Sequence, residues 1–405
     1  MIPAPRLVMT TAATTLLGAG LVALGPVSMA LYTPAMPQLA LEFGTTEAMI
    51  KLTLTAYFAG FAVTQLACGP LTDAFGRRPV TILFLALYLA STVLATFATD
   101  TTSMLIARTL QGVGAAVGIT VARAIVRDQY IGQNAARIMN TIAAILALGP
   151  ALSPTIGGFI LEWFGWREIF VCMLVYGGAL MLSVILFQKE TNTYRDLENL
   201  RPRRLILNYA TLLKDPRFLR PSLLVGLSLG NLYTLATVLP FVMIHEVGLT
   251  PSEFGLGMML QSFSFIAGTL VIGRLLKRVE ADRLVPYGLV GMLVAAAAMV
   301  IVLRLYEPTY LIVMVPVAFF AFSIAAVLPS SFTSAMRDFP HIAGAASSMM
   351  GFLQFGGGIL GSLAIAAIGD PLTGLATVIP AMPALAALAY ISLGRFIRPS
   401  TAAAE

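Results

Sequence analysis

GPLTDAFGRRP, Gly69 to Pro79, places two arginines, an aspartate, two glycines and two prolines between two long apolar runs. Gly76 supplies a permissive backbone for a tight reversal, and Pro79 suits the first turn of a helix. Arg77 and Arg78 are the residues that collect beside the inner surface of a membrane. The stretch therefore reads as a short loop joining two spanning helices. Asp73 adds nothing to that topology, so it is expected to pair with a nearby arginine or a helix N-terminus.

Working outward, a bilayer core requires about 20 apolar residues per helix, because hydrocarbon cannot satisfy exposed backbone groups. Uncharged runs fall at 7–41, 52–72, 79–99, 138–161, 169–188, 221–244, 254–273, 284–303, 308–336, 339–369 and 371–394, with one more at 101–122 broken only by Arg108. The 405 residues are 58% hydrophobic and only 11% charged, which argues against a water-soluble chain. An N-terminus on the inner side puts 21 Lys and Arg on inner segments against Lys51, Arg167 and Arg304 outside, with Arg108 in the core. That bias predicts both termini in the cytoplasm. The run from Leu7 to Leu41 exceeds a signal-peptide core, so Ser28-Met29-Ala30 is expected to stay in the mature chain as the outer end of the first helix, which Pro34 and Pro37 finish.

The charged stretch 189–220 divides the runs into six and six. The expected organisation is an N-terminal six-helix bundle, 1–188, a cytoplasmic linker of amphipathic character, 189–220, and a C-terminal bundle, 221–405. The linker's basic residues suit lipid headgroups better than nucleic acid. Cys68 and Cys172 fall toward opposite membrane faces and are not expected to bond. His245 and His341 build no metal cluster, and no cofactor is expected.

The loop-two-three residues Gly69, Leu71, Asp73, Gly76, Arg77 and Arg78 resemble the signature of the major facilitator superfamily, G-x-L-x-D-R-x-G-R-R/K, with Ala74 at its first arginine. GRLLKR, Gly273 to Arg278, is a decayed copy lying 204 residues on from Gly69. The resemblance implies an all-α membrane protein of twelve helices in two parallel six-helix repeats. It also implies that Asp73 latches the two halves on the cytoplasmic side when the carrier faces outward.

Span four carries RTLQGVGAAVG. An arginine at mid-helix costs about 2.5–3.5 kcal/mol on insertion scales, so Arg108 should face the bundle interior or a wet cavity. Gln111 lies a turn away, and Gly112 and Gly114 permit close helix approach. The pattern resembles the superfamily's R-x-x-Q-G-x-G, which implies a role in proton transfer and cavity electrostatics. In span five, GPALSPTIGG holds Gly149, Pro150, Pro154, Gly157 and Gly158, residues that bend a helix and let neighbours close in. It resembles the drug-antiporter motif and so implies efflux. YTPAMP (32–37), ARAIVRDQY (122–130) and GWREIF (165–170) resemble the bicyclomycin/chloramphenicol-resistance (Bcr/CflA) subgroup.

That subgroup has an aspartate in span one where this chain has Ala30. All 19 acidic residues map to helix ends and loops, so no carboxylate is left for the membrane core. Proton coupling then falls on Asp73, Asp128 or Glu162, or the substrate itself carries the titrating group past a fixed Arg108. A net positive core favours neutral or anionic amphipathic substrates. Polar and aromatic groups in apolar helices make Met29, Tyr32, Tyr57, Gln65, Asn140, Asn231, Tyr233, Gln261 and Gln354 the candidate cavity lining. Phe352 and Phe355 suit lipid contact or packing, and Trp163 and Trp166 the outer interfacial belt.

The expected function is proton-coupled export of small amphipathic compounds by a monomer in a bacterial inner membrane. A metabolite or organic-anion carrier without proton coupling is the alternative. A polytopic membrane enzyme is disfavoured because neither histidine sits in an acidic cluster.

Overall fold

The computed structural model describes residues 8–192 and 201–396. Arg6, Arg398 and the 193–200 part of the central linker lie outside them. Twelve helices among the described residues are long and apolar enough to cross a membrane. The first six are α1 with α2 (Thr11–Tyr32, Met36–Glu42), α3 (Glu47–Phe75), α4 (Arg77–Thr96), α5 with α6 (Thr101–Ala115, Val117–Gln129), α7 (Gly132–Trp163) and α8 (Trp166–Phe187). A short α9 (Pro202–Lys214) follows. The second six are α10 (Pro216–Phe241), α11 (Pro251–Leu275), α12 (Ala281–Leu305), α13 (Tyr310–Arg337), α14 (Ala343–Ile368) and α15 (Pro371–Gly394).

Two spans are broken, each for a local reason. Pro34 and Pro37 do not end the first helix as the sequence suggested. The chain passes through one 3-10 turn, Thr33–Ala35, and resumes as α2. Pro34 and Pro37 fall in the first turns of the two pieces, where the missing N–H has no helical partner to lose. Span four breaks at Ala116, whose carbonyl accepts the Gln65 amide at 3.0 Å.

Helix ends reach past the uncharged runs, and at the start of α3 the charge taken in is paired inside the protein. Lys51 opens α3 fully buried, 3.2 Å from Glu47 and 4.5 Å from the centre of the Phe241 ring. At the loop between α3 and α4, Gly76 adopts φ 102°, a conformation that favours glycine.

The glycines of span four explain its central place. A methyl on Gly112 would come within 2.1 Å of the Tyr57 carbonyl oxygen in α3, on Gly114 within 2.6 Å of the Tyr88 nitrogen in α4, and on Gly118 within 2.0 Å of the Leu21 oxygen in α1. Three glycines thus seat one helix against three others, the small-residue packing that replaces hydrophobic drive inside lipid. The first half encloses one continuous apolar core. The second half divides its core into several smaller clusters.

Candidate functional site

The chain has two ends, one carrying the arginine-rich loops (the basic end) and one carrying the turn after α2 (the far end). At the basic end Arg77 is the hub. Its side chain is 4% exposed and pairs with Asp73 of α3 at 2.5 Å and Asp128 of α6 at 3.1 Å. Thr72 accepts from the same guanidinium at 2.9 Å, and Thr191 donates to Asp128 at 3.0 Å. Glu190 accepts the backbone N–H groups of Arg77 and Arg78 at 2.9 and 3.1 Å. It thereby caps the free N-terminus of α4. Arg78 donates to the Ile185 carbonyl at 2.8 Å. Glu190 and Thr191 were missed in the sequence because their partners are remote in the chain, 113 and 112 residues away for Glu190 and 63 for Thr191.

Between the halves at this end lies a cleft of about 360 Å³. Gln65, Gly69, Asp73, Thr120, Arg123 and Arg127 line it from the first half, and Phe332, Met336, Ser347 and Ser348 from the second. Arg123 crosses it, donating to the Ser347 hydroxyl at 3.0 Å. Beside it the hydroxyl of Tyr209, on α9, donates to the Leu66 carbonyl of α3 at 2.7 Å. Burial pushes the Tyr209 hydroxyl up to about 12, so it keeps its proton at neutral pH.

One turn further along α3 the cleft is shut by aromatic rings from both halves. Phe61 meets Phe355 with centroids 4.2 Å apart, Phe58 meets Tyr233 at 5.4 Å, and Tyr233 and Phe355 stack at 4.8 Å and 6°. Gln354 donates to the Tyr233 hydroxyl at 2.7 Å. Phe355, expected in packing or lipid, packs across this seam.

At the far end the halves are in contact. His245 Nδ1 lies 2.9 Å from Glu47, whose other oxygen holds Lys51. Ser252 N–H donates to Glu162 at 2.9 Å, and the Thr155 hydroxyl to the Gly255 carbonyl at 2.9 Å. The glycine-proline stretch of α7 is built into this contact. A methyl on Gly158 would come within 2.3 Å of the Pro251 oxygen, and one on Gly255 within 2.5 Å of the Pro154 oxygen. Gly157 faces α1 at Leu31, Gly149 faces Val27, and α7 continues through Pro150 and Pro154.

Arg108 lies in the bundle interior, away from the cleft. It is fully buried inside the first half, with the Tyr32 and Tyr57 rings each 4.4 Å from its guanidinium carbon. Its Nη1 donates to Gln111 at 2.5 Å, and Gln111 donates to Thr92 at 2.8 Å. The Tyr57 hydroxyl donates to the Gly25 carbonyl at 2.9 Å, and the Tyr32 hydroxyl lies 2.7 Å from Thr53. Arg108 has no carboxylate partner among the described residues, and its Nε and Nη2 make no hydrogen bond. Ala30, where the subgroup has its acid, is a buried methyl.

The candidate lining therefore separates into groups. Gln65 faces the cleft, while Tyr233 and Gln354 lie in the aromatic seam. Met29, Tyr32 and Tyr57 are buried in the first-half core, not on an open cavity, and the two tyrosines hold Arg108 between their rings. Asn231 is buried and donates to the Ile379 carbonyl at 3.1 Å, tying α10 to α15. Gln261 is half-buried on α11, and Asn140 is exposed on the basic half of α7. Trp163 is exposed, but Trp166 departs from the interfacial belt: it is buried and donates to Glu42 at 2.7 Å.

Two six-helix sets packed tightly at one end with a cleft between them at the other are the architecture of a transporter. Residues 16–362 match the family model described as Major Facilitator Superfamily, and the chain belongs to that family, which places it among transporters, not enzymes. It is 30% identical over 351 residues to the Bacillus subtilis protein named uncharacterized MFS-type transporter YdgK, covering 85% of this chain and 86% of that one. It is 25% identical to the bicyclomycin resistance protein homolog of Haemophilus influenzae, over 91% of this chain and 93% of that protein. To Multidrug resistance protein D of Escherichia coli it is 27% identical, over 85% and 86%. Among solved structures, a D-xylose-proton symporter superposes with a TM-score of 0.75 at 14% identity, covering 94% of this chain and 97% of that one. These relatives bear out the resemblance to the bicyclomycin and chloramphenicol resistance type.

Proposed function

We propose that this chain exports small amphipathic compounds, neutral or anionic, across a bacterial inner membrane by alternating access, in exchange for protons. The observation that carries the reading is the asymmetry of the interface. Polar and glycine-mediated contacts join the halves at the far end, while at the basic end a cleft edged by Asp73, Arg123 and Arg127 opens between them, crossed by the hydrogen bond from Arg123 to Ser347. The excess of arginine and lysine at the basic end supports placing it, and both termini, in the cytoplasm. The cleft is then the loading vestibule, and the rings of Phe58, Phe61, Tyr233 and Phe355 form the barrier a cargo displaces.

The units that rock are 1–188 and 221–405, joined through 189–220, in a monomer. Asp73 is held by Arg77 within the first half while the basic end is parted, and it becomes the latch when that end closes. The names of the relatives, antibiotic and multidrug resistance proteins, favour drugs as cargo. Arg108 without a carboxylate partner disfavours cations.

Coupling to protons runs through helix-end acids, Asp73, Asp128 or Glu162. A carrier without proton coupling is the second reading, favoured by Ala30 and by the cation–π box in place of a buried ion pair. Proteoliposomes separate the two. Substrate addition should drive proton movement across the membrane, and absence of proton flux at any gradient would overturn the antiport reading. Transport of a permanent organic dication by the purified chain would overturn the substrate reading.

A further inference from the structure

We propose that α9 is a docking surface for the anionic headgroups of the bilayer, and that lipid seated there holds one flank of the basic-end cleft in place. The inference rests on the membrane placement of the basic end and is independent of what is exported. The helix has three distinct faces. Tyr209 and Leu212 turn toward the protein, with Leu212 buried among Phe218, Ala346 and Met349, and half-buried Leu205 shares their side of the helix. Ile206 and Leu213, seven residues apart and so on one face, are 66% and 41% exposed. Arg203 and Lys214 are exposed beside this stripe, with exposed Leu207 between them along the helix; Arg204 is exposed further round the helix, and residues 201–214 hold no acid.

An exposed apolar stripe bordered by cations fits an interface between acyl chains and anionic headgroups. A second copy of the chain would bring the same cations and be repelled. An acidic soluble protein would leave the stripe without a partner. The mechanical consequence follows from Tyr209, whose hydroxyl reaches the Leu66 carbonyl of α3 while α9 packs on α10 and α14. The helix thus bridges both halves beside the cleft, so holding α9 holds that seam.

The test uses the full-length chain in nanodiscs of phosphatidylcholine, with and without phosphatidylglycerol. A spin label at Ile206→Cys, in a background of Cys68→Ala and Cys172→Ala, should report accessibility to oxygen in the bilayer over a water-soluble relaxer. Phosphatidylglycerol should raise the melting temperature, and R203Q/R204Q/K214Q should lose most of that rise while melting like the unsubstituted chain in phosphatidylcholine. A water-exposed label, or a rise that the triple variant retains, would overturn the proposal. So would an equal rise from inorganic phosphate alone, which would mark a free-anion site. None of these readouts requires transport, so a failure of the export reading leaves them interpretable.

Discussion

Arg77 and Arg108 are both buried, and their surroundings assign them opposite tasks. Arg77 has two carboxylates and binds three helices together. Replacing Arg77 with glutamine leaves Asp73 and Asp128, 38% and 16% exposed, without their cation, a change that costs about 1–3 kcal/mol for partly solvated carboxylates. Thermal unfolding in detergent should show that loss, and a melting temperature within a degree of the parent would count against the network. Arg108 has aromatic faces in place of acids, contacts worth about 2 kcal/mol when desolvated. Gly112 makes a sharper structural test. A valine there cannot fit 2.1 Å from a backbone oxygen, so Gly112→Val should abolish the monodisperse folded protein on size-exclusion chromatography. At this scale the sequence was half legible. The pairing of Asp73 was readable because Arg77 is four residues away, whereas Glu190 and Thr191 come from the end of the sixth span. Placing Arg108 between Tyr32 and Tyr57 needs three helices at once, which no local pattern encodes.

Among the elements, the twelve spans were readable because lipid admits so few backbone solutions. Their ends were not, since a charge paired inside the protein, such as Lys51, looks in sequence like the end of a helix. The break at Ala116 was equally hidden, because the Gln65 amide that satisfies it belongs to α3. The far-end contact between the α3 start and the end of span seven predicts that Glu47→Gln weakens closure. Thiol reagents added from the far side should label a cysteine at Ser252 faster in that variant, and unchanged labelling would contradict the latch. The start of α15 carries a pH dependence of known sign. Hydrogen bonds from Thr373 hold the Asp370 carboxyl below its ordinary range. A depressed carboxylate contributes stability above the unfolded value of about 3.9, and that contribution disappears as pH falls through the folded value. Asp370→Asn should therefore flatten the acid limb of the melting profile.

For the whole molecule, two parallel sets of six helices were legible from the spacing of the two loop signatures, but the state of their interface was not. Phe58, Phe61, Tyr233 and Phe355 become one barrier only when α3, α10 and α14 meet, and their positions in sequence give no hint of it. The account holds that far-end contact and basic-end cleft are reciprocal, so that one opens as the other closes. Paired spin labels measure this directly, one pair at exposed Phe164 and Tyr306 across the far end and one at exposed Ile131 and Arg278 across the basic end. Between substrate-free and substrate-loaded protein, or across a pH step, the two distances should change in opposite directions. Distances that both stay fixed, or that lengthen and shorten together, would contradict it.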